Sequence, residues 1–259
     1  MQTAIVTVVV TGATQGIGKA IALALLEGGH RVIGVGRSAE KLKALRADAG
    51  AMADRLRCEA LDIADSAEVT RRVADWTAGG QRIDSLVNAA GVLEPGSLLQ
   101  ATAADLRRVI DTNLVAVLDF TLAVARQMAR ARQGSIVTIG SNSGTTARKG
   151  LGAYPASKAG IIHAMKCLGL ELAEHGVRCN IVSPGSTDTE MQARFQSTTG
   201  SRVGVIRGNP EHFRLGIPLG RMASVADVSD LVLFLLSDRA RHITMENIVI
   251  DGGATLGAR

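Results

Sequence analysis

The stretch Thr11-Gly12-Ala13-Thr14-Gln15-Gly16-Ile17-Gly18 decides how this chain is read. Just before it, residues 4–11 form an apolar run rich in β-branched side chains; from 16 to 27 the apolar Ile17, Ala20, Ile21, Ala24 and Leu25 recur at helical spacing. The glycines therefore sit in a tight strand-to-helix turn. Glycine is needed where backbone passes close to a pyrophosphate and where helix packs hard on strand, and the helix N-terminus offers N–H groups at the positive end of its dipole. Three residues separate the first two glycines, unlike the GxGxxG of many dinucleotide-binding proteins, but the place of the motif at the first strand–helix turn points to a dinucleotide. Gly12, Thr14, Gln15, Gly16, Ile17 and Gly18 are the expected phosphate cradle.

The same rhythm continues outward. Strands are expected at 31–36, 55–61, 85–88, 135–140, 178–182 and 247–250, and helices at 39–48, 66–78, 103–132, 152–175 and 225–237. Continuous β runs alternating with helices make a parallel sheet covered on both faces. The expected fold is α/β: one Rossmann-type doubly wound domain over residues 1–259, with about seven strands. Residues 188–220 break the rhythm, with mixed polarity and Gly200, Gly204, Gly208 and Pro210 following a strand end. Ligands in open α/β sheets bind beyond the carboxyl ends of the strands, so this excursion is expected to be a substrate lid.

Composition narrows the function classes. With 259 residues, 46% hydrophobic and 20% charged, the chain has the composition of a globular domain with a sizeable core. The longest apolar runs, 20–26 and 231–236, are far below the roughly 18 residues of a membrane span. Met1-Gln2-Thr3 opens no signal-peptide pattern, so the cytoplasm is the expected location. Cys58, Cys167 and Cys179 form no CxxC pair and read as buried, reduced thiols, and the five histidines lack metal-ligand spacing, so no metal is expected. The net charge of +5 comes from arginines scattered along helices, and six aromatic residues are too few for stacking platforms, which argues against a nucleic-acid partner.

Discrimination between NAD and NADP usually lies at the end of the second strand, which here reads Gly34-Val35-Gly36-Arg37-Ser38. No carboxylate stands there to bind a ribose 2′-hydroxyl, and Arg37 with Ser38 fits a 2′-phosphate pocket. Asp62 past the third strand and Asn88-Ala89-Ala90-Gly91 at the fourth belong with the adenosine half, where small residues leave room against the backbone. The catalytic candidates are Ser141, Tyr154 and Lys158. Tyr154 and Lys158 are four apart on a helix, so an ammonium can sit beneath a phenol, and Lys158 with an oxidised nicotinamide, both positive, supplies the field that lowers its pKa from about 10. Ser141, at a strand's carboxyl end, can hold a substrate oxygen beside that phenol.

Together, the Thr11–Gly18 turn, Asn88 to Gly91, Asn113, Ser141, Tyr154, Lys158, Pro184-Gly185 and Asp251-Gly252-Gly253 resemble the short-chain dehydrogenase/reductase family over nearly the whole chain. The resemblance implies that Asn113 helps shape the active-site helix and links Lys158 to a proton relay through water, that Pro184, Gly185, Thr187 and Thr189 contact the nicotinamide and phosphates, and that the chain forms a homotetramer or dimer through its two long helices. VRCNIVSPGSTDTEMQ at 177–192, LGIPLG at 215–220 and DGGATLGA at 251–258 are similar to the 2,3-dihydro-2,3-dihydroxybenzoate dehydrogenases of siderophore pathways. That likeness implies a cyclohexadiene carboxylate substrate oxidised at its C3 hydroxyl, held by Arg148, and NAD as cofactor, against the NADP reading of Gly36-Arg37. Thr145 stands where the group commonly has a histidine facing the substrate, which keeps open a 2-amino substrate, 2,3-dihydro-3-hydroxyanthranilate. Leu151, Met191 and Phe195 are the apolar residues expected over the ring. The other readings are an NADP-dependent ketoreductase and, in a different class, a non-catalytic dinucleotide sensor.

Overall fold

The computed structural model describes residues 5–199 and 201–257, the side chains of residues 195–199 excepted. Seven strands form one parallel sheet: β1 (Thr7–Thr11), β2 (Arg31–Gly36), β3 (Leu56–Ala60), β4 (Ser85–Asn88), β5 (Gly134–Ile139), β6 (Val177–Pro184) and β7 (Asn247–Ile250). Their order is β3-β2-β1-β4-β5-β6-β7. The chain winds outward from β1 through β2 to β3, then returns to lay β4 on the other side of β1, so the switch point lies between β1 and β4. The carboxyl ends at a switch point leave the crevice in which such sheets bind ligands. Thr11, the last residue of β1, pairs with Val35 on one side and Asn88 on the other.

Alternation within the strands builds two cores. Val8 and Val10 face α1 (Gly16–Glu27), α2 (Ala39–Asp48) and α9 (Val225–Leu236), while Val9 faces α3 (Ser66–Thr77), α5 (Val117–Ala131) and α6 (Tyr154–Ala173). The central strands are buried on both faces and read as unbroken apolar runs, whereas the edge strand β3 exposes Arg57 and Ala60. Trp76 and Phe120 anchor the second core with ring centroids 6.3 Å apart. Beside them, buried Glu59 accepts hydrogen bonds from Trp76, Arg57 and Arg72, so its charge enters the core with partners.

The expected elements are present, with differences that have physical causes. β1 starts at Thr7; Ile5 is two-thirds exposed and outside the ladder, and Ala4 lies outside the described residues. The helical run over 103–132 is interrupted: α4 (Ala103–Ile110) leads into a π-helical segment, Asp111–Ala116, before α5. Widened turns of this kind gather at functional sites, and this one carries Asn113 into the interior. The 188–220 excursion is folded, containing α7 (Glu190–Thr199), α8 (Arg202–Arg207) and a 3-10 turn at Pro210–His212. Its root is closed by a bridge between Thr187 and Ala223. Of the cysteines only Cys179 is buried; Cys167, on the outer face of α6, is exposed, which corrects the reading of all three as buried. Among the described residues no helix is long and apolar enough to cross a membrane, and no cluster of three candidate metal ligands is found.

Candidate active site

A cavity of about 630 Å³ runs along the carboxyl ends of the strands, from the end of β2 across β1 and β4 to β6 and the excursion that follows it. Its first wall is the Thr11–Gly18 turn. A Cβ built on Gly12 would lie 2.8 Å from the Ala90 backbone, and one on Gly18 would collide with the Gly12 carbonyl, so glycine alone lets the turn, the helix start and the β4 loop close on one another. Gln15, the N-cap of α1, makes no side-chain cap, and the first turn of the helix holds no acidic residue. The chemistry of this cradle suits a diphosphate: backbone donors at a positive helix end with no competing anion.

At the adenosine end, Arg37, Ser38, Lys41 and Asp62 all line the cavity. Ser38 caps α2, its hydroxyl accepting from Lys41 N–H, while the Lys41 ammonium donates to Gln15. A Cβ on Gly36 would lie 2.5 Å from Thr14 Cγ2, so Thr14 fills the room that an acidic side chain at position 36 would need. Lys41 escaped the sequence reading, although its place one turn into the helix that Ser38 begins was a usable signal.

At the other end, Ser141, Tyr154 and Lys158 meet on one wall. Ser141 hydrogen-bonds the Tyr154 phenol, and its Oγ lies 2.9 Å from Ser143 Oγ. The Lys158 ammonium sits 5.7 Å from the centroid of the Tyr154 ring and donates to the Ile139 carbonyl at 2.7 Å. Burial pushes the phenol up to about 12, with the Ser141 hydrogen bond acting in the opposite direction. Burial likewise pulls the ammonium down to about 8. Desolvation dominates at both groups, whose charged forms are costly here. Arg148 and Leu151 complete this end, and burial also lowers the Arg148 guanidinium.

Most of the expected site residues line this one cavity, including Ala89, Gly91, Pro184, Gly185, Thr187, Thr189 and Met191. Three do not. Asn88 is buried between strands, its amide donating to Thr121 and Thr138, so it braces the sheet beneath the cradle rather than facing a ligand. Asn113 is likewise 1% exposed: its side chain accepts from Val92 N–H and donates to the Val92 carbonyl and Ser157 Oγ. With Ser157 Oγ donating to the Tyr154 carbonyl, Asn113 ties the β4 loop to the start of α6. Thr145 is exposed, its hydroxyl donates to the Asn142 carbonyl, and it does not line the cavity, so its identity gives no reason to favour an amine on the substrate. The side chain of Phe195 lies outside the described residues.

Other lining residues were not foreseen. Ser143 and Asn142 follow Ser141 directly. Asn142 donates to Asp251, whose carboxylate also accepts from Thr255 and from Gly253 N–H, which gives the Asp251-Gly252-Gly253 motif a bracing task behind the site. Arg214 comes from the excursion after β6; nothing in its sequence context marks it, because only the folding of that excursion brings it to the cavity.

Comparisons with known proteins agree with this geometry. A family model described as short chain dehydrogenase matches residues 6–200. The chain is 42% identical, over 96% of its length and 95% of the relative's, to a 2,3-dihydro-2,3-dihydroxybenzoate dehydrogenase of Bacillus subtilis strain 168. It is 41% identical, over 96% of both, to the enzyme of the same name from Escherichia coli K12. Among solved structures, ElxO with NADP bound superposes with a TM-score of 0.88 at 26% identity, covering 98% of this chain and 100% of that one.

Proposed function

The chain belongs to the short-chain dehydrogenase family, and from that membership we propose that it oxidises the C3 hydroxyl of 2,3-dihydro-2,3-dihydroxybenzoate, releasing 2,3-dihydroxybenzoate for siderophore synthesis. The observation that carries this reading is the company Arg148 keeps. A half-buried guanidinium shares one cavity with Ser141, Tyr154 and Lys158, beside a cradle suited to a dinucleotide. A guanidinium is the natural bidentate partner of a ring carboxylate.

A bound oxidised nicotinamide dinucleotide would supply a hydride acceptor and a positive charge. Arg148 holds the carboxylate and Ser141 accepts or donates at the C3 oxygen, which fixes C3 toward the acceptor. Tyr154 takes the hydroxyl proton as C3–H leaves with its electron pair and C3 becomes a carbonyl. Lys158 stabilises the phenolate by its charge and would hold the ribose hydroxyls of the coenzyme. Loss of the C2 proton, with protonation of the carbonyl oxygen, then gives the aromatic ring and pulls the reaction toward oxidation. Leu151 and Met191 cover the apolar face, and the 188–220 excursion acts as a lid that excludes water.

The reading extends to the coenzyme and the assembly. Arg37, Ser38 and Lys41 at the adenosine end, with Thr14 filling the space of a carboxylate at 36, support NADP over NAD. Exposed Val115 and Leu170 on the segments that flank the site support a homo-oligomer built on the two long helices. The test is single-turnover absorbance of the reduced nicotinamide with the 2-hydroxy dihydro acid, the 2-amino dihydro acid and a 3-hydroxyacyl thioester in turn. Rapid reduction with the 2-hydroxy acid is expected; reduction with the thioester alone would replace this reading with a ketoreductase, and reduction with none would leave a dinucleotide sensor.

A further inference from the structure

Just past Ser141 a second hydroxyl, that of Ser143, lines the same cavity. Ser143 Oγ lies 2.9 Å from Ser141 Oγ, and Ser143 N–H donates to Ser141 Oγ at 3.2 Å. Both serines are buried. The catalytic reading gives Ser141 a task and leaves Ser143 without one. Proton counting assigns the donor in the pair. A serine hydroxyl carries one proton and two lone pairs, and the Ser143 N–H takes one lone pair of Ser141. Tyr154 as phenolate can only accept, so Ser141, which bonds it, must give its proton there. The Ser143 hydroxyl is then the donor to the remaining lone pair of Ser141. The opposite assignment would spend the Ser141 proton on Ser143 and set two acceptor oxygens, Ser141 Oγ and the phenolate, against each other with no proton between them.

The turn that carries Ser143 is held from several sides. Ser141 caps the 3-10 turn Asn142–Gly144, and Gly144 N–H donates to the Ser141 carbonyl at 2.9 Å. The Asn142 amide donates to Asp251 at 3.1 Å, and the Asn142 carbonyl accepts from Thr146 N–H at 3.1 Å. Gly144 rests on α6 beside Lys158 itself: a Cβ there would lie 3.0 Å from the Lys158 carbonyl carbon, 3.1 Å from Ala159 N and 2.7 Å from Ile162 Cδ1. Only bare backbone lets the turn seat this close to the helix that bears Tyr154 and Lys158. The contacts that fix Ser141 against α6 therefore fix Ser143 as well, and a group that aims a proton needs placement to within about 0.5 Å.

We infer that Ser143 is a positioning residue for the proposed dehydrogenation: its hydroxyl donates to Ser141 Oγ and so aims the one Ser141 proton at the oxygens of Tyr154 and the substrate. This rests on the roles proposed for Ser141 and Tyr154, and not on the identity of the ring. Hydrogen bonds in a chain polarise one another, so a donor behind Ser141 strengthens the bond that Ser141 makes in front. That support counts most when the phenol oxygen carries its charge, which is the state in which Tyr154 takes the substrate proton. Loss of the Ser143 hydroxyl should therefore weaken the charged phenol and lower kcat, with little effect on KM.

The test compares the full chain, loaded with oxidised coenzyme, with Ser143→Ala, Ser143→Cys and Ser143→Thr. Tyr154 is the single tyrosine of the chain, so the ultraviolet absorbance of phenolate reports its ionisation without any substrate. Ser143→Ala is expected to raise the midpoint of that titration by roughly half a pH unit and to lower kcat at neutral pH roughly three- to tenfold, with KM and coenzyme affinity changed by less than about twofold. Ser143→Cys, which keeps the volume but is a weak donor, should follow Ser143→Ala, and Ser143→Thr, which keeps the hydroxyl, should return toward wild type. Equal loss in all three variants would make Ser143 a packing residue and overturn the inference. An unmoved midpoint would do the same, as would a raised KM with unchanged kcat, the mark of a substrate contact. A midpoint that falls in Ser143→Ala would show that Ser141 had been the donor and would reverse the assignment. The two readings separate cleanly: a raised midpoint in a protein that does not oxidise the dihydro acid leaves the Ser143 inference standing and sinks the substrate, whereas oxidation of the dihydro acid with an unmoved midpoint does the opposite.

Discussion

The two ends of the cavity are made in different ways. The dinucleotide end is a backbone surface: Gly12 packed on Ala90, Gly18 on the Gly12 carbonyl, and an uncapped helix start, all within one strand–turn–helix unit. The substrate end is a side-chain surface assembled from four places, with Ser141 after β5, Arg148 in the following loop, Tyr154 and Lys158 on α6, and Arg214 in the excursion after β6. The contrast shows that a cofactor shared by many enzymes is met by an arrangement that sequence spacing alone records. A particular substrate is met by groups whose convergence only the tertiary fold creates.

The largest way to sharpen this comparison is Tyr154→Phe. It removes one oxygen from the substrate end and touches nothing in the backbone cradle, so turnover should fall by about three orders of magnitude or more while coenzyme affinity changes little. Stopped-flow reduction together with coenzyme titration checks both halves. Retained turnover would remove the phenol from the mechanism.

A second prediction concerns the cost of the buried ammonium. Burial lowers Lys158 from 10.5 in the unfolded chain to about 8 in the folded one. The unfolded state therefore binds more protons between those values, and this contribution to stability rises with pH across that window, being least favourable below pH 8. A difference of this size corresponds to about 3 kcal/mol. Urea unfolding of wild type and Lys158→Met should show the variant gaining relative stability at pH 7 and losing that advantage toward pH 10.5; a difference flat with pH would contradict the desolvation account.

The smallest expected effect lies at the adenosine end, where a side chain intrudes on the backbone surface. With Thr14 in place, Gly36→Asp should destabilise the fold without creating an NAD site, because the new Cβ meets Thr14 Cγ2. Adding Thr14→Gly should free that space and shift the kcat/KM ratio toward NAD by about tenfold, or about 1.4 kcal/mol. A shift from Gly36→Asp alone would show that Thr14 yields easily and that the two positions are not coupled.

The comparison also explains what was legible in the sequence. The alternation of strands with helices, the seven-stranded sheet and the cradle follow from short-range periodicity, and α1, α2, β2, β4 and β7 match their expected bounds. Tyr154 and Lys158 were legible because four residues on a helix fix a shared face. Asn113 was visible as a motif residue, but its hydrogen bonds to Val92 and Ser157 were not, since the π segment that turns it toward Val92 leaves no periodic trace. Thr145 was misread because alignment with a group gives a position, while the short 3-10 turn Asn142–Gly144 directs that side chain away from the cavity. Arg214 lay beyond reach for the same reason: an irregular excursion has no period from which to compute where a side chain points.

The central claim, that hydride leaves C3 of a carboxylate-bearing ring for the coenzyme, is tested most directly with substrate deuterated at C3. Oxidation by the loaded enzyme should place one deuterium at C4 of the reduced nicotinamide for each 2,3-dihydroxybenzoate formed. Deuterium released to water, with unlabelled coenzyme, would mean that the bond broken by hydride transfer lies elsewhere on the ring and would contradict the account.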